Sequence, residues 1–277
     1  MTRAANVESP QPGSAWRLLR SRLPEGRTLI MGIVNATPDS FSDGGAYDPI
    51  EQGLKLASEG ADIVDVGGES TRPGALAVTA AEERKRTEPV VRALVRQIKI
   101  PVSIDTTKPE VAKAAIDAGA EIVNLVSGDA RDMPRDAAYC LMHMRGTAAD
   151  MQSRAIYADL HGELLAELKQ ALERADIPEE RIAIDPGLGF AKTAEHNLLL
   201  LRRLRELTQL GRPLLVGASR KSFIGKVTGR EPSQRLLGSV AAAAIAAVNG
   251  AAVLRVHDVA ATREALQIAD AVRTSTA

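Results

Sequence analysis

The feature that most constrains the fold of this chain is an alternation of short apolar segments with helical patterns, repeated eight times. Each apolar segment is rich in β-branched residues and is followed by a cluster of Gly, Pro, Asp or Ser residues. Alternation of this kind predicts parallel strands joined by helical crossovers. We predict strands at residues 28–35, 62–66, 102–105, 121–126, 139–144, 181–185, 213–218 and 252–258.

The number of repeats and the length of the chain together indicate a closed barrel. The predicted strands are apolar at nearly every position, as strands buried on both faces should be. Eight β/α units in about 250 residues match the size of a TIM barrel. We therefore predict a single (β/α)8 TIM-barrel domain over residues 28–277, preceded by a loose lead-in at residues 1–27. An open doubly wound sheet is the alternative, because a strand count alone does not exclude it. Helices are predicted at residues 50–58, 80–98, 110–118, 162–174, 196–207, 233–248 and 262–273.

The fourth β/α unit is shorter than the others. Only 12 residues, 127–138, separate the fourth and fifth predicted strands. A parallel crossover needs about a dozen residues, and Pro134 would interrupt a helix within this segment. We predict at most one or two helical turns there.

Composition excludes several classes of protein. The chain has 35 Lys and Arg against 35 Asp and Glu, so no long-range field attracts nucleic acid or an anionic membrane. Its single cysteine, Cys140, rules out an internal disulfide and fits a reducing compartment. No uncharged apolar stretch approaches the roughly 18 to 20 residues of a membrane span, and residues 1–27 lack the apolar core of a signal peptide. We expect a cytoplasmic protein.

Polar residues concentrate where the predicted strands end, which in a TIM barrel is the face that carries the active site. Asp105, Asn124, Asp185 and Lys221 would place two carboxylates, an amide and an ammonium in one cavity. Such a set suits a planar heterocycle with a donor face and an acceptor face. Each residue alone could be a turn former or a helix cap, and Asp185 with Lys221 could be a buried ion pair.

A second group lies on the first and last strands. Arg255 and His257 are two residues apart, so in a strand both point to the same face, beside Asn35 on the neighbouring strand. Loops after the seventh and eighth strands of barrels often bind phosphate, so an anionic group is the expected occupant. His143, inside the fifth strand, is as well explained by a satisfied core histidine as by a functional one, and His161 and His196 are expected at the surface.

The two long loops after the first two strands, residues 37–45 and 67–75, are polar and glycine-rich, as mobile lids are. Patterns typical of dinucleotide binding, of a P-loop and of a protein-caged zinc are absent from the sequence.

Seven segments resemble the motifs of the dihydropteroate synthase family, in the same order. They are MGIVNATPDSFSDGG (31–45), GGESTRPGA (67–75), SIDTTKP (103–109), MHMRGT (142–147), DPGLGFAK (185–192), GASRKSFIG (217–225) and RVHDV (255–259). The resemblance implies a TIM-barrel transferase of folate biosynthesis, a sulfonamide target and commonly a homodimer. Such an enzyme condenses 6-hydroxymethyl-7,8-dihydropterin diphosphate with p-aminobenzoate to give 7,8-dihydropteroate and pyrophosphate.

The resemblance also assigns roles to individual residues. It implies that the pterin ring binds to Asp105, Asn124, Met142, Asp185, Phe190, Lys221 and Arg255. It assigns the diphosphate and catalysis to Asn35, Thr71, Arg72, Arg255 and His257, with Asn35 also a ligand of Mg²⁺. It places p-aminobenzoate beside Phe41, Thr71, Arg72, Pro73 and Ser219.

Two departures from the family pattern leave other functions open. Members usually carry Asp after the strand asparagine, where this chain has Leu125, and they usually have a fuller fourth helix. Because strand residues alternate, Leu125 should face the helices, where an apolar residue is acceptable, so we expect catalysis to survive. A truncated fourth helix would expose part of the barrel wall unless another element or a partner subunit covers it, so we expect stability to suffer. A non-catalytic pterin-binding paralogue is one alternative, and a pterin-dependent methyltransferase on a similar barrel is another.

Overall fold

Eight parallel strands form one sheet that closes on itself in the computed structural model, which describes residues 26–37, 48–70, 74–126 and 129–275. Hydrogen-bonded neighbours follow the order β6-β5-β4-β3-β2-β1-β8-β7. A parallel bridge between Ile184 and Leu214 joins the sixth and seventh strands and completes the circle. The predicted TIM barrel is therefore confirmed, and the open sheet is excluded. The strands are β1 (Leu29–Asn35), β2 (Ile63–Gly67), β3 (Val102–Asp105), β4 (Ile122–Leu125), β5 (Ala138–Met142), β6 (Ile182–Asp185), β7 (Leu215–Val216) and β8 (Val253–Val256).

Helices surround the barrel and begin at recognisable sequence signals. Pro49 and Pro109 stand in the first turn of their helices, where a missing amide hydrogen costs nothing. The Thr79 hydroxyl accepts a hydrogen bond from the Glu82 amide at 3.2 Å and caps the second helix. The helices are α1 (Pro49–Ser58), α2 (Ala80–Gln97), α3 (Pro109–Asp117), α4 (Leu160–Ala175), α5 (Ala194–Arg202), α6 (Ser222–Thr228), α7 (Leu236–Val248) and α8 (Val259–Thr274).

Side chains of the strands divide into an outer and an inner set. Outward residues such as Val66, Ile104 and Leu125 are buried against the helices. Inward residues form a separate apolar floor inside the barrel, made of Leu29, Met31, Ile63, Ile122, Ala138, Cys140, Ala183, Leu215, Ala252 and Val253. Because strand side chains alternate, the inward positions above this floor open toward the carboxyl ends of the strands, where the chain places polar residues.

The fourth unit has no helix within residues 129–137, which agrees with the predicted shortening. Ala130 and Met133 take the place of a helix and pack into the outer core, where they are 4% and 7% exposed. The Tyr139 hydroxyl donates to the carbonyl of Pro134 and ties the connection to β5. Within residues 129–137 the barrel wall between β4 and β5 is therefore covered by turns and not by a helix.

Two expectations about local structure are wrong. His161 is buried, and its Nε2 lies 3.1 Å from Glu206 of the 3-10 helix at Leu204–Leu210. The predicted helix at 196–207 is in fact α5 followed by that 3-10 helix. The short helix α6 was not predicted, and its Phe223 is a core residue. No helix in the described part of the chain combines the length and apolarity needed to cross a bilayer.

Candidate functional site

Charged side chains from alternate strands meet just above the apolar floor. Asp65 of β2, Asn124 of β4, Asp185 of β6 and Arg255 of β8 all come from even-numbered strands, whose inward side chains form one layer in a TIM barrel. Asp105 of β3 adjoins them. The structure thus brings together four of the predicted site residues, Asp105, Asn124, Asp185 and Arg255, around one residue that was not predicted.

That residue, Asp65, is the centre of the hydrogen-bond network and is fully buried. Its Oδ2 accepts a hydrogen bond from Arg255 Nε at 2.6 Å and another from Asn124 Nδ2 at 3.1 Å. The sequence feature that could have identified Asp65 is its position as the one carboxylate in the apolar segment 63–66. Since Ile63 faces the barrel interior, Asp65 must do so too.

The Arg255 guanidinium joins two carboxylates. Besides Asp65, it donates from Nη2 to Asp105 Oδ2 at 2.6 Å. Its positive charge is therefore shared with the predicted pterin frame, and the corner with Asn35 and His257 is less cationic than the sequence alone indicated.

Burial shifts the protonation equilibria of this cluster. Loss of hydration raises the pKa of Asp105 to about 7, although the Arg255 charge opposes the shift. Burial also raises the pKa of Asp185, against the charge of Lys221. Burial lowers the pKa of the Lys221 ammonium to about 8, and the charge of Asp185 opposes that change. Groups whose pKa values move toward neutrality mark sites of binding or chemistry more often than surface positions do.

Two carboxylate oxygens of this cluster are left to accept further hydrogen bonds. Within the described residues, Asp65 Oδ1 and Asp105 Oδ1 are buried and have no hydrogen-bond partner. A buried carboxylate oxygen without a donor is costly. The cluster therefore suits a ligand that brings N–H groups, such as an aminated heterocycle.

Apolar and aromatic groups line the same space. Met142 pairs in register with Asp185 across β5 and β6, and it is 5% exposed. Lys221 Nζ lies 4.5 Å from the centroid of the Phe190 ring and donates to the carbonyl of Leu188. A flat ring bound in the frame would thus find a thioether and an aromatic face beside an ammonium.

Ser219 and His257 face each other at the ends of β7 and β8. Ser219 Oγ lies 3.0 Å from His257 Nδ1 and accepts a hydrogen bond from the His257 amide at 3.3 Å. Asn35 ends β1, the strand that pairs with β8. These three predicted residues therefore lie at one sector of the mouth.

The remaining predicted site residues, Phe41, Thr71, Arg72 and Pro73, lie outside the described residues. Leu125 is fully buried in the outer core, as its alternation with Asn124 predicts. Among the described residues no group of three or more His, Cys, Asp or Glu side chains is arranged to hold a metal ion.

Comparisons with known proteins agree on one family. The family model described as "Pterin binding enzyme" matches residues 31–257. The chain is 46% identical to dihydropteroate synthase of Synechocystis sp., over 89% of this chain and 90% of that protein. It is 44% identical to dihydropteroate synthase of Escherichia coli K12, over 87% of this chain and 90% of that protein.

Solved structures give the same result. Yersinia pestis dihydropteroate synthase in a sulfonamide drug complex matches with a TM-score of 0.86 at 41% identity, covering 90% of this chain and 95% of that one. Dihydropteroate synthase of Xanthomonas albilineans in complex with 7,8-dihydropteroate matches with a TM-score of 0.81 at 45% identity, with the same coverage of 90% and 95%.

Proposed function

This chain belongs to the dihydropteroate synthase family of pterin binding enzymes, and we propose that it condenses 6-hydroxymethyl-7,8-dihydropterin diphosphate with p-aminobenzoate. The products would be 7,8-dihydropteroate and pyrophosphate. The observation that carries this proposal is the convergence of Asp105, Asn124, Asp185 and Lys221 at one mouth of the barrel. The matched Xanthomonas albilineans structures contain 4-aminobenzoic acid in one case and 7,8-dihydropteroate in another, which supports the choice of substrates.

Pterin recognition would use the complementary polarity of the frame. Ionised Asp105 and Asp185 accept hydrogen bonds from the amino and ring N–H groups, and the Lys221 ammonium donates to a ring acceptor. Met142, Phe190 and the Arg255 guanidinium would pack on the ring. The unpartnered Asp105 oxygen supports this arrangement.

The charges of the site suit a substitution at the pterin methylene with dissociative character. Breaking the carbon–oxygen bond leaves a delocalised cation on the pterin and adds negative charge to the departing pyrophosphate. Asp105 and Asp185 would stabilise the cation, while Arg255, His257 and Asn35 would bind the anion. No general base is required, because the attacking aromatic amine can lose its proton after the bond has formed.

We propose that Asn35 holds Mg²⁺ together with the diphosphate. Asn35 ends β1 at the mouth and offers a single amide oxygen. Magnesium usually keeps several waters and takes few protein ligands besides substrate phosphates, so this sparse donor set fits the ion. When bound, Mg²⁺ would neutralise negative charge on the leaving group.

The p-aminobenzoate would bind beside Ser219 and the two long loops after β1 and β2. The residues assigned to it there are Phe41, Thr71, Arg72, Pro73 and Ser219. Closed loops would exclude water, which otherwise competes with the weakly basic amine for the pterin cation.

Release of pyrophosphate tests the reaction. We expect release only when the pterin diphosphate and p-aminobenzoate are both present. Binding of the pterin diphosphate without release would favour the non-catalytic paralogue, and methyl transfer from a methylated pterin would favour the methyltransferase. Lys221→Ala should chiefly weaken pterin binding, whereas Arg72→Ala should chiefly slow product formation. Equal effects of both variants on pterin affinity would contradict these roles.

We further propose that the enzyme is a cytoplasmic homodimer. Large apolar side chains are exposed on the adjacent helices α7 and α8: Leu237 is 81%, Ile245 50%, Ile268 70% and Val272 60% exposed. Large apolar side chains exposed on adjacent helices are what a subunit interface would cover. The buried free thiol of Cys140 fits a reducing compartment.

A further inference from the structure

Two buried titratable side chains beside the mouth, His143 and Lys192, have no role in the proposed reaction. They are 5% and 3% exposed, and lysine is rarely buried to this extent without a specific partner. His143 comes directly after β5, and Lys192 lies in the loop between β6 and α5. Burial lowers the pKa of Lys192 to about 7.

The two side chains are linked in one hydrogen-bonded chain. Lys192 Nζ donates to the carbonyl of Phe190 at 3.0 Å and lies 3.0 Å from His143 Nδ1. The other ring nitrogen, His143 Nε2, lies 2.9 Å from Glu167 of α4. Glu167 in turn accepts a hydrogen bond from Arg145 Nε at 3.0 Å.

This geometry selects one tautomer of His143. The ionised Glu167 carboxylate can only accept, so the ring proton of neutral His143 resides on Nε2 and is donated to Glu167, which leaves Nδ1 as the acceptor from Lys192. Burial lowers the pKa of His143, which favours this neutral form. The ring thus connects a carboxylate anchored on α4 with the ammonium of Lys192.

The hydrogen-bonded chain that starts at Glu167 ends at the loop that carries Phe190. Three of its residues adopt positive φ angles, Gly187 at 68°, Gly189 at 81° and Ala191 at 48°. Such a backbone is unfavourable for Ala191 and needs fixed partners to persist. The Lys192 ammonium supplies one at the Phe190 carbonyl, and the Tyr157 hydroxyl supplies another at the Ala191 carbonyl, 3.0 Å away.

His143 also touches the frame directly. Its amide donates to the Asp185 carbonyl at 2.9 Å, and it follows Met142 in the chain. The pair therefore adjoins three residues assigned to the pterin ring: Met142, Asp185 and Phe190.

We propose that His143 and Lys192 are positioning residues that hold Met142, Asp185 and Phe190 in register for the pterin ring. This role rests on the proposed function, because it presumes a pterin diphosphate in the frame. The sequence left open whether His143 is a core histidine or a functional one, and this proposal assigns it a function. The pair touches no reacting atom and acts through the main chain of Phe190 and Asp185.

The test compares the affinity for 6-hydroxymethyl-7,8-dihydropterin diphosphate, measured by calorimetry, with the KM for p-aminobenzoate. Lys192→Met removes the donor to the Phe190 carbonyl and should raise the dissociation constant of the pterin diphosphate about tenfold, with the KM for p-aminobenzoate changed less than about twofold. Lys169→Met, at an exposed position of α4, is the matched control and should change neither value. An unchanged pterin affinity in folded Lys192→Met would overturn the proposal.

Two substitutions at His143 separate positioning from simple packing. An Asn side chain can place its oxygen near the position of Nδ1 and still accept from Lys192, whereas a Gln side chain reaches the position of Nε2 and leaves Lys192 without its acceptor. His143→Asn should keep the pterin affinity within about twofold, and His143→Gln should lose about tenfold. Equal affinities in the two variants would contradict the proposal even if Lys192→Met failed to fold.

The wild-type enzyme distinguishes failure of this inference from failure of the proposed function. If the wild type does not bind the pterin diphosphate, the proposed function is wrong and the positioning role falls with it. If the wild type binds and the variants bind equally well, only the positioning role is wrong.

Discussion

Asn124 donates a hydrogen bond from its side-chain nitrogen to Asp65 at 3.1 Å, across the inside of the barrel from β4 to β2. Because Asp65 accepts a hydrogen bond from this nitrogen, the Asn124 amide is held in one of its two orientations, with the positions of its nitrogen and oxygen fixed. A bound ring would then meet the amide oxygen of Asn124 as an acceptor in a fixed place. Asp65, which need not touch the ligand, thereby sets the polarity of the frame.

Asp65→Asn should weaken binding of the pterin diphosphate about tenfold or more. The substitution removes the charge that pairs with Arg255 and lets the Asn124 amide turn over, and hydrogen bonds to charged groups are worth about 1.5 to 3 kcal/mol. Calorimetry on the folded variant measures the loss. Asp117→Asn is the control, because that carboxylate is 64% exposed on α3, and it should leave the affinity unchanged. An affinity of Asp65→Asn equal to that of the wild type would refute the assignment.

The affinity for the pterin diphosphate should be highest between about pH 7 and pH 8. Burial raises the pKa of Asp105 to about 7, so the carboxylate loses its acceptor capacity as the pH falls through that value. Burial lowers the pKa of Lys221 to about 8, so the donor charge is lost as the pH rises through that value. Dissociation constants measured from pH 6 to pH 9 should therefore pass through a minimum.

Lys221→Met provides the control for the alkaline limb of this profile. The variant should bind more weakly at every pH, lose the rise in dissociation constant above about pH 8, and keep the rise below about pH 7. A wild-type profile that is flat from pH 6 to pH 9 would show that neither group titrates in binding.

Leu125→Ala should lower the free energy of unfolding by about 3 kcal/mol while the turnover number stays the same. Leu125 is fully buried in the outer core, and truncation of a buried leucine loses both its transfer energy and the packing around the cavity. Urea unfolding and steady-state kinetics on one preparation measure the two quantities. Ile156→Ala, at a side chain 77% exposed, should change the free energy by less than about 0.5 kcal/mol. Loss of turnover in a folded Leu125→Ala that still binds pterin would contradict the separation of stability from catalysis.

Leu237→Glu together with Ile268→Glu should convert the dimer to a monomer. The two side chains are 81% and 70% exposed on α7 and α8, and a charge on each would have to be buried in the interface. Sedimentation velocity gives the oligomeric state. Ile156→Glu, elsewhere on the surface, should remain dimeric. A wild type that sediments as a single chain of 29.4 kDa would contradict the proposed dimer.

Chelation of divalent cations should stop pyrophosphate release, and added Mg²⁺ should restore it. Asn35→Ala should need a higher Mg²⁺ concentration for half-maximal rate, because the ion would lose its one proposed protein ligand. Asn249→Ala, directly after α7 and before the start of β8, is the matched control. A rate that does not respond to chelation would argue against a metal.

The barrel was predictable because its determinants are local and repeated. Each strand carries its own apolar segment, and helices such as α2 begin at their own N-cap, so eight separate strand signals agreed. The seventh strand was predicted too long: only Leu215 and Val216 are in β7, and Pro213, which has no amide hydrogen to donate to a neighbouring strand, lies outside it. Helix α6 was missed because Gly225 interrupts its short pattern.

The site was predictable where it lies at strand ends and was missed where it does not. Asp105 and Asp185 were found because they end apolar segments, Lys221 because it follows one, and Asn124 because it lies one residue before the end of β4. Asp65 lies within a strand, and its importance arises from Arg255, 190 residues away in the chain. The contact between His143 and Lys192 depends on a loop with three left-handed residues, which no residue pattern specifies.

The connection between β4 and β5, which is built of turns without a helix in residues 129–137, has a consequence for how this protein can be modified. A helix at that sector would have to keep its packing face. Within residues 129–137 the side chains of Ala130, Met133 and Ala137 are buried, while Arg131, Asp132, Arg135 and Asp136 are exposed. Added residues among these exposed positions would extend into solvent and leave the barrel wall and the catalytic mouth in place. The shortened unit is thus a natural insertion point, where a reporter or a binding module could be added to a working enzyme.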